Sequence, residues 1–403
     1  MRMLFSAALA CLLACGPTKP DTKTNPSPLP GVWQFSYSLG AVDHIQTVEI
    51  NPQNEYIFFN ATEAITSERV EHSGDTLRIH MPIYGTYLDF TELSDTSMVG
   101  HWVNPSRTDY RVPVHATRGT REHHLPAPPG TDTLTYACTF SEGTDDAYPA
   151  EGLFTLNGSN LYATFRTETG DYRFLEGTPS NGRWNFGCFD GSHLFQFTAE
   201  VKGDSISGTF YSGTHWSEPF TGIRTLGSVL RDPFTITYVV NDSLIRPKII
   251  NANSEVSALS ADYFNGKTHI VHILGTWCPN CLDESRYLFE LSKKYGEDQL
   301  SITGFAFERK SADSLRIAGI ERYREQTGIN YPIYLSGDAA KGQASEMFNM
   351  LNSITSFPTT LIIDKYGNIA LVHTGFNGPG TGAHYTSFRR RFEAALDSLV
   401  TLP

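Results

Sequence analysis

Two cysteines separated by two residues, Cys278 and Cys281 in Trp277-Cys278-Pro279-Asn280-Cys281, are the side chains of this sequence best suited to chemistry. They follow an apolar run, Ile270-Val271-His272-Ile273-Leu274, and open a segment with helical spacing. A pair so spaced closes and reopens a small disulfide ring with little backbone movement. At a helix start the first sulfur sits over unsatisfied backbone N–H groups and the positive end of the helix dipole, which favour thiolate. Such a setting lowers a thiol pKa from about 8.5 into the range of roughly 3.5–7.5, and the thiolate is the nucleophile. The chemistry predicted is thiol–disulfide exchange.

Other uses of the motif fit the residues less well. A structural zinc site needs four ligands, usually two such cysteine pairs or a pair plus histidines, and no second cysteine pair exists here. A c-type haem attachment needs His directly after the second cysteine, where Leu282 stands. A peroxide-reducing cysteine stands three residues after a Thr, but Thr276 is two before Cys278. No metal and no cofactor beyond the dithiol itself is expected.

The elements that must position the pair lie in residues 233–403. Strands are predicted at 268–274, 300–307, 331–335, 359–363 and 369–373, and helices at 279–295, 312–327, 339–351 and 387–400. Gly296 and Gly328 follow two of the helices, the usual stop. Lys365-Tyr366-Gly367-Asn368 joins the last two strands as a hairpin, so the sheet is mixed. Strand, dithiol, helix, further βα units and a closing hairpin and helix predict an α/β thioredoxin fold. Glu284 lies one helical turn beyond Cys281 and shares its face. Glu308 ends a central strand, at the edge where open α/β sheets place their sites. The glycine-rich stretch Gly375–Tyr385 has no Lys and no phosphate-loop spacing; it reads as a flexible connection beside the dithiol.

These residues resemble the TlpA-like thiol–disulfide reductase family over roughly 40% of the chain. The matching features are Trp277-Cys278-Pro279-Asn280-Cys281 with Glu284 three residues on, and Ser356-Phe357-Pro358-Thr359-Thr360-Leu361-Ile362-Ile363-Asp364. The resemblance implies that Pro358, following Phe357, is a cis proline lying against the dithiol, and that Glu284 belongs to the redox site. Trp277, Pro279, Asn280 and Phe357 would form its surroundings. It implies an insert at 311–328 as well. Ser285 departs from the family, which often has an apolar residue there. A reductant is the activity implied, with Cys278 attacking a substrate disulfide, Cys281 resolving the mixed disulfide, and Glu284 or Glu308 handling the Cys281 proton. A dithiol oxidase uses the same residues at a higher potential. A surface-anchored binding protein whose N-terminal modules carry the function is the non-enzymatic alternative.

The N-terminus supplies a compartment. Met1-Arg2 precedes an apolar run from Leu4 to Ala14, too short to span a bilayer. Leu12-Leu13-Ala14-Cys15 resembles a bacterial lipobox, which implies removal of residues 1–14 and lipid attachment to Cys15; an ordinary signal peptide with an incidental cysteine is the alternative. Residues 15–30 have the composition of a solvated tether. The expectation is an exported, lipid-anchored protein of the bacterial envelope, facing the periplasm from the outer membrane. Protein disulfides or dithiols are the expected substrates and a membrane protein the electron donor. The net charge of −12 argues against nucleic acid.

Between anchor and dithiol, residues 31–226 are rich in short alternating strands punctuated by Gly, Asn and Asp, as in Asn157-Gly158. They predict two β-rich modules, sandwich or barrel, at 31–120 and 131–226, separated by the Pro-rich Leu125–Gly130. Similar runs at 75–102 and 182–210 suggest a duplication, although β-meanders also resemble one another. Of the six cysteines, Cys138 and Cys188 remain. In an exported protein they could form a structural disulfide, or both could be small buried hydrophobes.

Overall fold

The computed structural model describes residues 28–119, 133–241, 243, 245–264, 266–309 and 311–400. The leader, Cys15 and the Leu125–Gly130 connector lie outside the described residues.

The first module has nine strands: β1 Gly31–Ser38, β2 Asp43–Ile50, β3 Tyr56–Asn60, β4 Glu63–Thr66, β5 Arg69–Ser73, β6 Thr76–His80, β7 Tyr87–Leu93, β8 Ser97–Val103 and β9 Arg111–Arg118. Alternation sets their inner face, with Trp33, Phe35 and Tyr37 of β1 buried between more exposed neighbours. The antiparallel sheet runs β4-β3-β2-β1-β9-β8-β7-β6-β5 and stays open, a half-barrel.

The second module repeats that plan. Its strands are β10 Thr133–Phe140, β11 Tyr148–Asn157, β12 Asn160–Thr167, β13 Gly170–Asp171, β14 Leu175–Ser180, β15 Arg183–Phe189, β16 Leu194–Lys202, β17 Ser205–Ser212 and β18 Trp216–Arg224. The order β12-β11-β10-β18-β17-β16-β15-β14 matches β3-β2-β1-β9-β8-β7-β6-β5 position for position, which agrees with a duplication. Here β12 also pairs with β14, so eight strands close into a barrel. Gly158, at φ 61°, makes the tight β11–β12 turn. Phenylalanines fill the interior: Phe165 and Phe197 stack at 4.9 Å, and Phe186 and Phe197 at 5.1 Å.

The gap in the half-barrel is filled by this neighbour. Phe189 and Leu194, flanking the β15–β16 turn, are part of the first module's core. The Phe189 carbonyl accepts from Gln46 Nε2 at 3.0 Å and Asn60 Nδ2 at 2.9 Å, and its N–H donates to Asn60 Oδ1 at 3.1 Å. Two half-barrel side chains thereby satisfy the Phe189 backbone as it enters the gap.

The C-terminal domain begins with a short helix, α1 Pro233–Ile236, and two edge strands, β19 Lys248–Ile250 and β20 Val256–Ala258. It continues through β21 Thr268–Leu274, α2 Pro279–Tyr295, β22 Leu300–Glu308, α3 Asp313–Thr327, β23 Ile333–Asp338, α4 Lys341–Met347, β24 Thr359–Ile363, β25 Ile369–Thr374 and α5 Ala383–Val400. The seven-stranded sheet is ordered β20-β19-β23-β22-β21-β24-β25, with β21, β22 and β23 parallel and β24 and β25 antiparallel. The mixed thioredoxin-type sheet is as read from the sequence. The strands β19 and β20 were not legible: each is three residues long, with β20 exposed throughout and β19 only half-buried. The 339–351 helix shrinks to Lys341–Met347, and the last helix starts earlier, at Ala383. Ile83 of the first module joins the C-terminal core, and its N–H donates to Gln326 Oε1 of α3 at 2.5 Å. Among the described residues no helix is long and apolar enough to cross a membrane.

Candidate functional site

All seven residues of β21 are buried, and the strand delivers the dithiol to the edge of the sheet. Cys278 is the N-cap of α2 and Pro279 its first residue, where the missing N–H costs nothing. Cys278 is partly exposed and Cys281, one turn inside, is fully buried; both are free thiols. The Cys278 thiol is held below its ordinary range, chiefly by hydrogen bonding to the Cys281 thiol. The N–H groups of Cys281 and Asn280 and the charge of Arg173 act in the same direction, against the effect of burial. Burial pushes the Cys281 thiol well up, and the charges of Cys278 and Glu284 add to it. One sulfur is partly exposed and lowered, the other buried and raised.

Phe357–Pro358 is a cis peptide, and the Phe357 carbonyl lies 3.6 Å from Cys278 Sγ. The Phe357 ring stacks on Phe307 at 5.6 Å and meets Trp277 edge-on at 6.1 Å. Trp277 donates Nε1–H to the Phe307 carbonyl at 3.0 Å, while Arg309 lies 5.3 Å over its ring. It therefore forms a fixed wall beside Cys278.

The two carboxylates of the sequence reading part company. Glu284 is fully buried behind Cys281, its Oε2 accepting from Thr360 Oγ1 at 2.8 Å and lying 3.1 Å from His272 Nε2. His272, Thr360 and His373 occupy one row across β21, β24 and β25. Burial drives His373 down to about 4, so this row is neutral at physiological pH on that side. Glu284 Oε1 has no hydrogen-bond partner among the described residues, which leaves an oxygen able to take a proton. Glu308 instead spends both oxygens on Thr276, accepting from its N–H at 2.8 Å and its Oγ1 at 2.9 Å. Its carboxyl is raised by burial. It braces the loop that leads into the dithiol.

The other wall comes from the barrel, which the sequence did not foretell. The segment Thr167–Arg173 lies against the start of α2. Asn280 Nδ2 donates to the Asp171 carbonyl at 3.2 Å, and a Cβ on Gly170 would come within 2.1 Å of that nitrogen. Ser356 Oγ donates to the Thr169 carbonyl at 2.7 Å. Arg173, buried and at φ 59°, donates from Nη1 to the Pro279 carbonyl at 3.0 Å and to Asp283 Oδ2 at 2.5 Å. It also pairs with Glu63 of the first module and lies 3.6 Å from Asp190 Oδ2. One guanidinium thus ties both β-modules to the redox helix. No local motif marks Arg173 or His272: Arg173 meets Glu63 and Asp283, each 110 residues away, and His272 on β21 meets Glu284 on α2.

Gly375–Tyr385 is not the flexible connection expected from its glycines. Phe376, Asn377 and Thr381 are buried, Asn377 Oδ1 accepts from Arg166 Nε at 3.3 Å, and the Gly378 N–H donates to Asp171 Oδ2 at 2.5 Å. The barrel supplies the partners that order it. Of the two readings of Cys138 and Cys188, the structure has the buried one: both are free, both belong to the barrel core, and burial raises both thiols. Gly222 on β18 makes room for Cys138, since a Cβ there would lie 2.7 Å from its sulfur.

A mixed sheet with a Cys-x-x-Cys at a helix start and a cis proline facing it defines a thioredoxin-fold domain. Residues 240–386 match the family model described as Redoxin. The chain is 26% identical over 112 residues to the thiol-disulfide oxidoreductase ResA of Geobacillus kaustophilus, covering 28% of this chain and 57% of that protein. It is 28% identical over 112 residues to ResA of Halalkalibacterium halodurans, covering 27% of this chain and 55% of that protein. The chain thus spans little more than half the length of these curated relatives. Among solved structures it is similar to a thiol:disulfide interchange protein of the thioredoxin family from Chlorobium tepidum, with 22% identity and a TM-score of 0.28, over 39% of this chain and 99% of that one.

Proposed function

We propose that this protein is a thiol–disulfide oxidoreductase that acts as a reductant through Cys278 and Cys281. The observation that carries the reading is the division between the two sulfurs: a partly exposed thiol lowered at a helix N-cap and a buried thiol raised behind it. Cys278 thiolate attacks one sulfur of a substrate disulfide and expels the other as thiolate. Cys281 then attacks Cys278 Sγ in the mixed disulfide, closing the ring and releasing the second substrate thiolate. Two electrons pass to the substrate, and the proton leaving Cys281 goes to the Glu284 carboxylate and on to product. Glu308 acts on loop geometry. No cofactor beyond the dithiol takes part.

The Leu-Leu-Ala-Cys ending supports export and anchoring through Cys15, in the envelope of a bacterium and facing the periplasm, with protein disulfides as substrates and a membrane dithiol donor restoring the reduced state. Insulin-disulfide reduction by the whole protein is expected and is lost in Cys278→Ser; equal activity in the two would sink the assignment. Equilibration with glutathione buffers fixes the direction, a potential above about −150 mV marking an oxidant instead.

A further inference from the structure

In a closed antiparallel barrel, one set of turns gathers at each end. The ends of β10, β12, β15 and β17 and the starts of β11, β16 and β18 gather at the end that abuts α2. At that end lies a cavity of about 680 Å³ whose lining includes Cys278, Pro279 and Asn280. Its volume falls within the roughly 300–1,000 Å³ of ligand sites, and barrel mouths are a usual place for them. The barrel below is packed with phenylalanine, so the cavity is confined to the mouth, between barrel and sulfur.

Its barrel wall combines an aromatic cluster with polar residues, among them Glu168, Ser212 and His215. Tyr172, Phe195 and Phe210 form one cluster, with Tyr172 edge-on to Phe210 at 5.2 Å and Phe195 edge-on to Phe210 at 5.2 Å. His193 stacks on Phe195 at 4.5 Å, and Trp216 on the rim is 51% exposed. The Tyr148 hydroxyl lies 2.8 Å from Tyr172 Oη and donates to Glu218 at 2.9 Å. Such walls favour flat or aliphatic groups over polar ones. Arg107 lies at the same mouth with no carboxylate in ion-pair range among the described residues.

We infer that this cavity is the substrate subsite of Cys278, built by the second β-module, and that it selects disulfides carrying an aromatic or bulky apolar group beside the reacting sulfur. The inference rests on the exchange reading above. While the apolar group occupies the mouth, Cys278 Sγ bonds to the adjacent substrate sulfur, the substrate S–S bond breaks, and the departing thiolate takes a proton from solvent. Cys281 then closes the ring as already described. The two electrons come from the reduced dithiol, so a single turnover needs no other reductant.

The test is stopped-flow oxidation of the reduced full-length protein by two matched pairs of disulfides. One pair is a short peptide disulfide with Phe beside the cysteine and its Ser counterpart; the other is a water-soluble benzyl disulfide and hydroxyethyl disulfide. Each rate is divided by that with dithiothreitol, which removes intrinsic reactivity. The aromatic member is expected to react about tenfold faster or more in at least one pair, the scale on which a hydrophobic pocket discriminates. The pair with the larger ratio names the source, polypeptide or small molecule. Trp216→Ala removes a half-exposed rim residue, and Phe195→Ala opens the wall; each is expected to cut the ratio severalfold. Equal rates within both pairs, or a ratio that survives both variants, overturns the inference while leaving the exchange reading intact. Failure of the wild type to react with all four disulfides overturns the exchange reading itself.

Discussion

At the scale of single residues, the site works because two identical side chains sit in opposite environments three positions apart. Brief alkylation of the reduced protein at neutral pH should label Cys278 roughly tenfold faster than Cys281, as mapped by mass spectrometry of the tryptic peptides. Preferential labelling of Cys281 would reverse the nucleophile assignment. Glu284 acts on Cys281 through its charge, which raises that thiol. Glu284→Gln removes the charge while keeping the shape, so the Cys281 thiol should fall. In a Cys278→Ser background, the pH curve for Cys281 alkylation should therefore move to lower pH on adding Glu284→Gln. A purely structural Glu284 would leave that curve where it was.

At the scale of elements, the Thr167–Arg173 segment and the start of α2 form one unit drawn from two domains. Gly170 has φ 147°, and a Cβ there would meet the far end of the Asn280 side chain. Gly170→Ala should destabilise the protein by about 1–3 kcal/mol. Asn280→Ala in the same chain should restore part of that, a non-additivity measurable by urea denaturation. What remains is the backbone cost of a positive φ. Asp171 adds a pH signature, since burial and the nearby Asp283 raise its carboxyl from 3.8 to about 6. The native state then binds more protons than the unfolded state between about pH 4 and pH 6. Asp171 therefore makes stability fall as pH rises through that window. Asp171→Asn should flatten the slope of the denaturation midpoint against pH there; an unchanged slope would rule out this titration.

At the scale of the whole molecule, the three modules converge on Arg173. Its guanidinium is buried and holds carboxylates from the half-barrel, the barrel and the redox helix. Arg173→Met removes the shared cation of three buried acids, of which Asp190 keeps His193 at 3.6 Å and Asp283 keeps Arg286 at 3.8 Å, and should cost about 3–5 kcal/mol. It should also raise the Cys278 thiol, because the Arg173 charge is one of the influences that lower it. Cys278 alkylation against pH, read under conditions where the variant stays folded, checks the second effect separately from the first. A substitution that destabilises but leaves the Cys278 curve in place would confine Arg173 to docking.

What the residues alone determined was local and periodic. Cys278-Pro279-Asn280-Cys281 at a helix start, the largely apolar run Ile270–Leu274 before it and Gly296 and Gly328 behind two helices made the redox domain legible, because each depends on neighbours in sequence. The β-character of 31–226 and its repetition followed from alternation at period two. Tertiary structure decided whatever depended on distant partners. Barrel closure rests on one added pairing, β12 to β14, which alternation does not encode. Glu284, one turn beyond Cys281, and Glu308, at the end of a central strand, are both acid candidates in the sequence, and only the packing of Thr276, Thr360 and His272 separates their surroundings. Gly375–Tyr385 looked loose because glycines dominate it, yet a barrel segment some two hundred residues earlier orders it. Composition describes what a segment does by itself; its partners, and hence its polar bookkeeping, exist only once the chain has folded.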